Sequence, residues 1–198
     1  MKKLIFALLG LTILVQHPAD AQQYSVSTNA VDWMDYVTIN AEGGMAVGRH
    51  ISLHGGVRVN PWVFSPGDPE DRFVDVTAED EGQFQNKKQA YNIGLRYWPW
   101  YIYSGFWLSA KGQYMEYDRG NIRGMEKREA GDAWGMGLGL GYTYMFKERW
   151  NIDFGLGAWG GMKSYNIYRC TNCGQPLESG KKTFLVPDFF SVSLMYIF

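Results

Sequence analysis

The two cysteines of the chain stand in the stretch Cys170-Thr171-Asn172-Cys173-Gly174. Such a pair can be half of a zinc ribbon, but that site needs two more ligands, and the neighbouring long loops contain no other Cys or His. A thioredoxin-like redox pair needs a helix start in an α/β fold, which the sequence does not predict. In an exported protein this spacing is typical of a local disulfide that tightens a loop. We therefore predict a Cys170–Cys173 bridge and no metal or cofactor.

A second set of reactive side chains occupies alternate positions in segments whose other positions are apolar. Its members are Glu42, His54, Arg58, Arg96, Lys111, Asp153 and Lys163, and Trp62, Trp98, Trp107 and Trp159 share their parity. In a β-strand, alternate residues point to the same face. If that face lines an enclosed interior, its charges must be paired and hydrogen-bonded.

We therefore predict that these charged residues form an ionic plug. Glu42 and Arg58 should lie close together, with Lys111 at a similar depth. A lower layer should contain His54, Arg96 and Asp153. The same residues could instead gate a narrow pore by exchanging ion-pair partners.

The elements that position these residues are eight predicted strands. They cover approximately residues 25–33, 37–47, 51–60, 91–98, 106–114, 134–146, 151–163 and 188–198. The last shows the period of two most clearly, because Phe190, Val192, Leu194, Tyr196 and Phe198 are all apolar or aromatic. Short connections largely alternate with long ones, which is typical of an outer-membrane barrel.

Aromatic residues are concentrated at both ends of the predicted strands, as in the two girdles at lipid–water boundaries. They include Trp98, Tyr103, Tyr142 and Tyr196 at the short-turn end and Trp62, Tyr91, Trp134 and Phe190 at the long-loop end. A soluble sandwich would place its aromatics mid-strand. We predict an all-β, eight-stranded antiparallel up-and-down transmembrane β-barrel, with long loops outside the cell and both termini in the periplasm.

The N-terminal segment has the features of a secretory signal. Lys2 and Lys3 precede an apolar run from Leu4 to Val15, and Ala19-Asp20-Ala21 resembles a cleavage site. We predict a signal peptide at residues 1–21 and a barrel domain at residues 22–198. Leu194, Tyr196 and Phe198 also resemble the C-terminal signal that outer-membrane assembly machinery recognises.

Composition and residue placement narrow the function. A formal net charge of −1 gives no basic field for nucleic acid. Some small outer-membrane barrels acylate or deacylate lipid A, but that chemistry needs a nucleophile or base near the outer leaflet. His50 and His54 are both expected nearer the periplasm, and no nucleophile-elbow motif is present. We expect no enzyme activity.

Five motifs make the chain resemble a family of uncharacterised small outer-membrane barrels from Bacteroidota. They are STNAVDWMD, GGVRVNPW, LRYWPW, YRCTNCG and the closing SLMYIF. The resemblance implies a fold similar to OmpA or OmpX barrels in the bacterial outer membrane, and no established activity.

The expected function is structural or a surface interaction. The expected partners are the lipid bilayer, lipopolysaccharide, the assembly machinery and possibly a protein at the outer loops, and the barrel is expected to be a monomer. The alternatives are an accessory subunit of a larger outer-membrane or fimbrial assembly, a narrow gated pore, and a lipid A-modifying enzyme.

Overall fold

The structure is a computed structural model that describes residues 23–64, 84–120, 127–169 and 175–198. The predicted signal peptide and both cysteines lie outside the described residues. None of the helices within these ranges combines the length and apolarity needed to cross a membrane.

The described chain consists almost entirely of strands. The elements are β1 (Tyr24–Asn29), α1 (Ala30–Met34), β2 (Ile39–Ala46), β3 (Ile51–Asn60), the two-residue strand β4 (Val63–Phe64), β5 (Phe84–Tyr97), β6 (Gly105–Gly120), β7 (Arg128–Lys147), β8 (Trp150–Tyr168) and β9 (Pro176–Ile197).

The eight long strands form a closed antiparallel barrel, which confirms the predicted fold class at that level. Neighbours in the chain are neighbours in the sheet, β3 pairs with β5, and β9 pairs with β1 to complete the circle. The short strand β4 pairs only with the start of β5. Closure leaves the paired part of the sheet without a free edge.

The predicted faces are confirmed along the strands. Leu138 is 71% exposed and Ile93 63% exposed, whereas Ser52 and Asp153 on the opposite face are at most 1% exposed. The last strand follows the same rule, because Leu194 and Phe198 point outward while Met195 and Ile197 are buried. The barrel therefore presents mainly apolar side chains outside, whereas most of its buried side chains are polar.

The first predicted strand is wrong beyond residue 29. We expected it to continue to about residue 33, but α1 begins at Ala30. The Asn29 side chain caps this helix by accepting a hydrogen bond from the Val31 N–H at 3.1 Å, as Asn commonly does at an N-cap. Asp32 in the first turn is favourably placed at the positive end of the helix dipole.

The strands at the long-loop end are longer than predicted. Residues 118–120 and 128–132, which lie between two of the predicted strands, belong to β6 and β7, and β8 continues to Tyr168. Opposite charges support this extension, since Arg128 on β7 contacts Asp118 on β6 at 2.6 Å. Charged residues that lie outside the predicted strands therefore stabilise paired strands.

Several aromatic predictions are wrong. Trp98, which we placed both in the girdle at the short-turn end and on the inward face, is completely buried, so only its inward placement is confirmed. Tyr103 was expected in the periplasmic girdle, but it is completely buried. Its backbone φ of 59° turns the chain inward, and the Asn151 side chain donates a hydrogen bond to its carbonyl oxygen at 2.7 Å. Trp62 was expected inside, but it is 41% exposed and its indole N–H donates to the Val37 carbonyl.

Candidate functional site

The half of the barrel nearer the short turns, called the lower half below, contains an ionic cluster centred on Arg96. The half nearer the long loops is called the upper half. Its guanidinium donates to Glu42 Oε1 at 2.6 Å and to Asp153 Oδ2 at 3.1 Å. Asp153, on the far side of the barrel, also accepts from the Trp107 indole N–H at 2.6 Å and from the Thr143 hydroxyl at 2.5 Å. Both Asp153 oxygens are therefore satisfied by donors, as a buried carboxylate requires.

A hydrogen-bonded chain extends from this cluster to the short-turn end. Glu42 contacts His54 Nδ1 at 3.2 Å, and His54 Nε2 contacts the Ser52 hydroxyl at 2.7 Å. The Ser52 oxygen in turn accepts from the Trp98 indole N–H at 2.8 Å. A neutral His54 with its proton on Nδ1 satisfies every partner in this chain.

Inward-facing glycines make room for the large indole of Trp107. An added Cβ at Gly141 would overlap both the Trp107 ring and the Phe154 carbonyl oxygen, and one at Gly155 would lie 3.1 Å from the same ring. The face of this ring also contacts the Arg96 guanidinium, whose carbon lies 4.4 Å from the ring centroid. The glycines of β7 and β8 thus permit a cation–π contact inside the cluster.

A buried apolar layer lies between the ionic cluster and the short turns. It consists of Trp98, Tyr103, Trp107, Met195 and Ile197, all at most 3% exposed. The Trp98 and Tyr103 rings meet edge to face with centroids 5.8 Å apart, the geometry that aromatic pairs prefer. This layer and the ionic cluster together fill the lower interior with side chains.

The layering of the predicted plug differs from our expectation. Glu42 belongs to the same cluster as His54, Arg96 and Asp153, while Arg58 forms an ion pair with Asp32 of α1 at 3.3 Å.

A cavity of about 60 Å³ connects the two groups. Arg58 and Lys111 line it together with Glu42, His54 and Arg96. Such a volume has room for a few water molecules only.

Lys163 lies apart from the Arg96 cluster, in a larger cavity in the upper half of the barrel that Arg58 also lines. Its ammonium donates to Glu129 at 2.8 Å, and the Tyr117 hydroxyl donates to the same oxygen at 2.8 Å. The Glu129 carboxylate is therefore both paired with a cation and hydrogen-bonded, as a partly buried acidic group requires.

This upper cavity has a volume of about 580 Å³, within the range of small-molecule sites. Lys88, Arg119, Lys163 and Glu129 line one part of it, and apolar residues line another, among them Met115, Trp159, Phe184 and Val186. Lys88 also pairs with Asp35 at 2.9 Å.

The sequence reasoning missed the acidic partners of this cavity. Asp32 lies within the first predicted strand, Asp35 lies just after it, and Glu129 lies between the predicted strands 106–114 and 134–146, so none was assigned to the interior. The alternation around β7 could have revealed Glu129, because it has the same parity as Ala133 and Gly135.

Three further predictions concern the C-terminal insertion signal, the disulfide bridge and metal binding. Leu194, Tyr196 and Phe198 share the outward side of β9, but their use as an insertion signal stays a prediction. The Cys170–Cys173 bridge lies outside the described residues. Within those residues, no group of three His, Cys, Asp or Glu side chains is placed to hold a metal ion.

Comparison with protein families gives one match. The model described as "Protein of unknown function (DUF3575)" matches residues 4–198. No curated protein matches the chain significantly.

Proposed function

Since the chain belongs to the DUF3575 family, whose function is unknown, we propose that it is an outer-membrane β-barrel that is closed to ions. We propose that its short turns face the periplasm and its long loops face the outside of the cell. Its upper cavity and outer loops would make surface contacts with envelope components.

The outward face supports a membrane location. Exposed apolar side chains follow every long strand, for example Ile93, Leu108, Leu138 and Leu156, each more than half exposed. A single-domain protein in water rarely presents so much contiguous apolar surface. In a bilayer the same surface is favourable, and closure of the barrel satisfies the backbone.

The filled lower interior is the observation that supports a closed barrel. The Arg96 cluster and the five-residue apolar layer beneath it occupy the cross-section between the upper cavity and the short turns. Eight-stranded barrels are narrow enough for side chains to fill them. We therefore expect the polar residues to hold each other in place and to leave no continuous water path.

Conductance tests the proposal directly. Purified protein incorporated into planar bilayers should give no steady ion current, and a wide porin prepared in the same way is the positive control. A reproducible current from the folded barrel would contradict the closed interior and would favour a pore gated by exchange among Arg96, Glu42 and Asp153.

The two remaining alternatives need separate measurements. A stable stoichiometric partner in affinity purification from native membranes would favour an accessory subunit. Altered lipid A mass spectra in a deletion strain would favour an enzyme. His54 supports neither alternative, because it is buried in the lower cluster with Ser52 and Glu42.

A further inference from the structure

The barrel wall changes from paired strands to a strand beside a helix where β1 ends. The closing ladder joins Ser25–Asn29 of β1 to Ser193–Ile197 of β9 and stops at the pair Asn29–Ser193. β9 continues in the other direction to Pro176, paired with β8. Above Asn29 the element next to β9 is therefore α1 and no longer a strand.

This change lies within the apolar part of the wall. On β9, Phe190 and Leu185 lie beyond the last β1 pair, and they are 59% and 80% exposed on the outward side. On α1, Trp33 and Met34 are also exposed. If the protein spans the outer membrane, the junction between α1 and β9 lies in the half of the bilayer nearer the long loops.

Apolar residues of this junction also line the upper cavity. Val31 comes from α1, and Val186, Pro187 and Phe190 come from β9. Phe190 contributes although its ring is on the outward side, so the cavity reaches the wall at this junction. Pro187 lies beside a register shift of β9 and has no N–H that would need a hydrogen-bond partner in hydrocarbon.

Charged residues also line this cavity, and several of them lie toward the long-loop ends of their strands. Lys163 lies four residues farther toward the long-loop end of β8 than Trp159, which pairs with Val186. Lys88 and Arg119 are also toward the long-loop ends of their strands. The described lining holds four cationic and three acidic side chains, so it carries one net positive charge.

One buried polar atom in the cavity has no partner among the described residues. Gln113 is 7% exposed, it lines the cavity, and its side-chain carbonyl oxygen accepts no hydrogen bond. A buried acceptor left unsatisfied is costly. It is therefore available to a hydrogen-bond donor, such as a hydroxyl or a bound water, that enters with a ligand.

We propose that the upper cavity binds one anionic single-chain amphiphile, whose hydrocarbon chain passes between α1 and β9. The chain would contact Val31, Val186 and Phe190, and the headgroup would lie toward Lys88, Arg119 and Lys163. A free fatty acid and a lysophospholipid both have this chemistry. The lateral route rests on the proposed membrane location, whereas the binding itself does not.

Native mass spectrometry of the full mature protein in a non-ionic detergent tests the binding. Stearate is the anionic probe, and hexadecyltrimethylammonium is a cationic probe with a similar chain. We expect one stearate per barrel and at least tenfold weaker binding of the cationic probe. Absence of stearate binding, or equal binding of both probes, would overturn the proposal. Lysophosphatidylglycerol in a parallel series distinguishes a lipid headgroup from a simple carboxylate.

A pair of variants on adjacent residues tests the position of the chain. Val186→Trp should obstruct the cavity at the junction and weaken stearate binding at least tenfold. Leu185→Trp, on the outward side of the same strand, should leave binding unchanged. Equal losses in both variants would place the amphiphile on the outer surface and contradict the cavity site.

The wild-type comparison of the two probes remains decisive if Val186→Trp fails to fold. A barrel that conducts ions but still binds stearate would refute the closed interior alone. A non-conducting membrane barrel that binds no stearate would refute this inference alone.

Discussion

At the residue scale, Arg96 is the group on which the lower interior depends. It forms ion pairs with two acidic residues, Glu42 and Asp153, and its side chain is 12% exposed. Buried ion pairs add little net stability, but removal of one member leaves an uncompensated charge. The importance of Arg96 should therefore appear on substitution.

We predict that Arg96→Met destabilises the barrel by about 3–5 kcal/mol, because Glu42 and Asp153 then lose their shared cation. Urea unfolding in detergent micelles, followed by tryptophan fluorescence, measures the change. Arg128→Met is the comparison variant, since its bidentate pair with Asp118 is more exposed than the Arg96 cluster and its removal should cost less. Similar small effects in both variants would show that the Arg96 cluster is dispensable.

The glycines facing the interior give a second prediction at this scale. Gly141→Ala should destabilise the protein by about 1–3 kcal/mol, because its Cβ would overlap Trp107 and a backbone oxygen of β8. The same unfolding assay applies. At Gly112, on the outward face of β6, the nearest atom to an added Cβ is 3.9 Å away, so Gly112→Ala should be nearly neutral.

At the element scale, the two ladders formed by β1 are the shortest among the eight long strands, with four residue pairs to β2 and five to β9, where the barrel closes. β1 has six residues, whereas β9 has twenty-two. Asn40 of β2 reinforces the end of β1, because its side chain accepts from the Asn29 N–H at 2.6 Å and donates to the Asn29 carbonyl at 2.9 Å. These bonds fix the point where the strand ends and α1 begins.

We predict that Asn40→Ala loosens β1 without disrupting the rest of the barrel. Two lost hydrogen bonds of about 1 kcal/mol each should raise local opening about thirtyfold. Amide hydrogen exchange of residues 24–29 measures this opening. Asn166→Ala, on β8 at the long-loop end, should leave exchange in β1 unaltered. Unchanged exchange in both variants would show that the Asn40 side chain does not hold the end of β1.

At the scale of the whole molecule, the barrel has two unlike halves. The lower half is filled by the ionic cluster and the apolar layer, while the upper half contains the cavity of about 580 Å³. Longer strands β7–β9 surround the upper half, and β1 ends well below their tips. In the proposed function, the filled lower half would keep the periplasm separate from the outside of the cell. The upper half, with its cavity, would contact envelope components.

The proposed orientation can be tested with single cysteines in a background with Cys170→Ser and Cys173→Ser. Gln175→Cys lies beside the last long loop, and Glu148→Cys lies in the short turn between β7 and β8. A membrane-impermeant maleimide should label position 175 in intact cells and position 148 only after the outer membrane is permeabilised. The opposite pattern would invert the proposed topology, and labelling of both positions in intact cells would contradict a membrane-spanning barrel.

The sequence by itself determined the strands and their faces. A period of two is a local property, so Leu138 outside and Asp153 inside follow from neighbouring residues alone. Antiparallel order followed from the short connections. The longer strand ends and α1 did not, because cross-strand pairs such as Arg128–Asp118 and the cap at Asn29 overrode the local composition.

Only the tertiary structure decided which interior residues meet. Arg96 and Asp153 are 57 positions apart on strands that are not neighbours, and their contact depends on the stagger that accumulates around the closed sheet. Parity gives the face of a residue but not its height in the barrel. For the same reason we predicted from the sequence that Arg58 lies beside Glu42. In the fold, Arg58 pairs with Asp32, and both residues line the cavity of about 580 Å³.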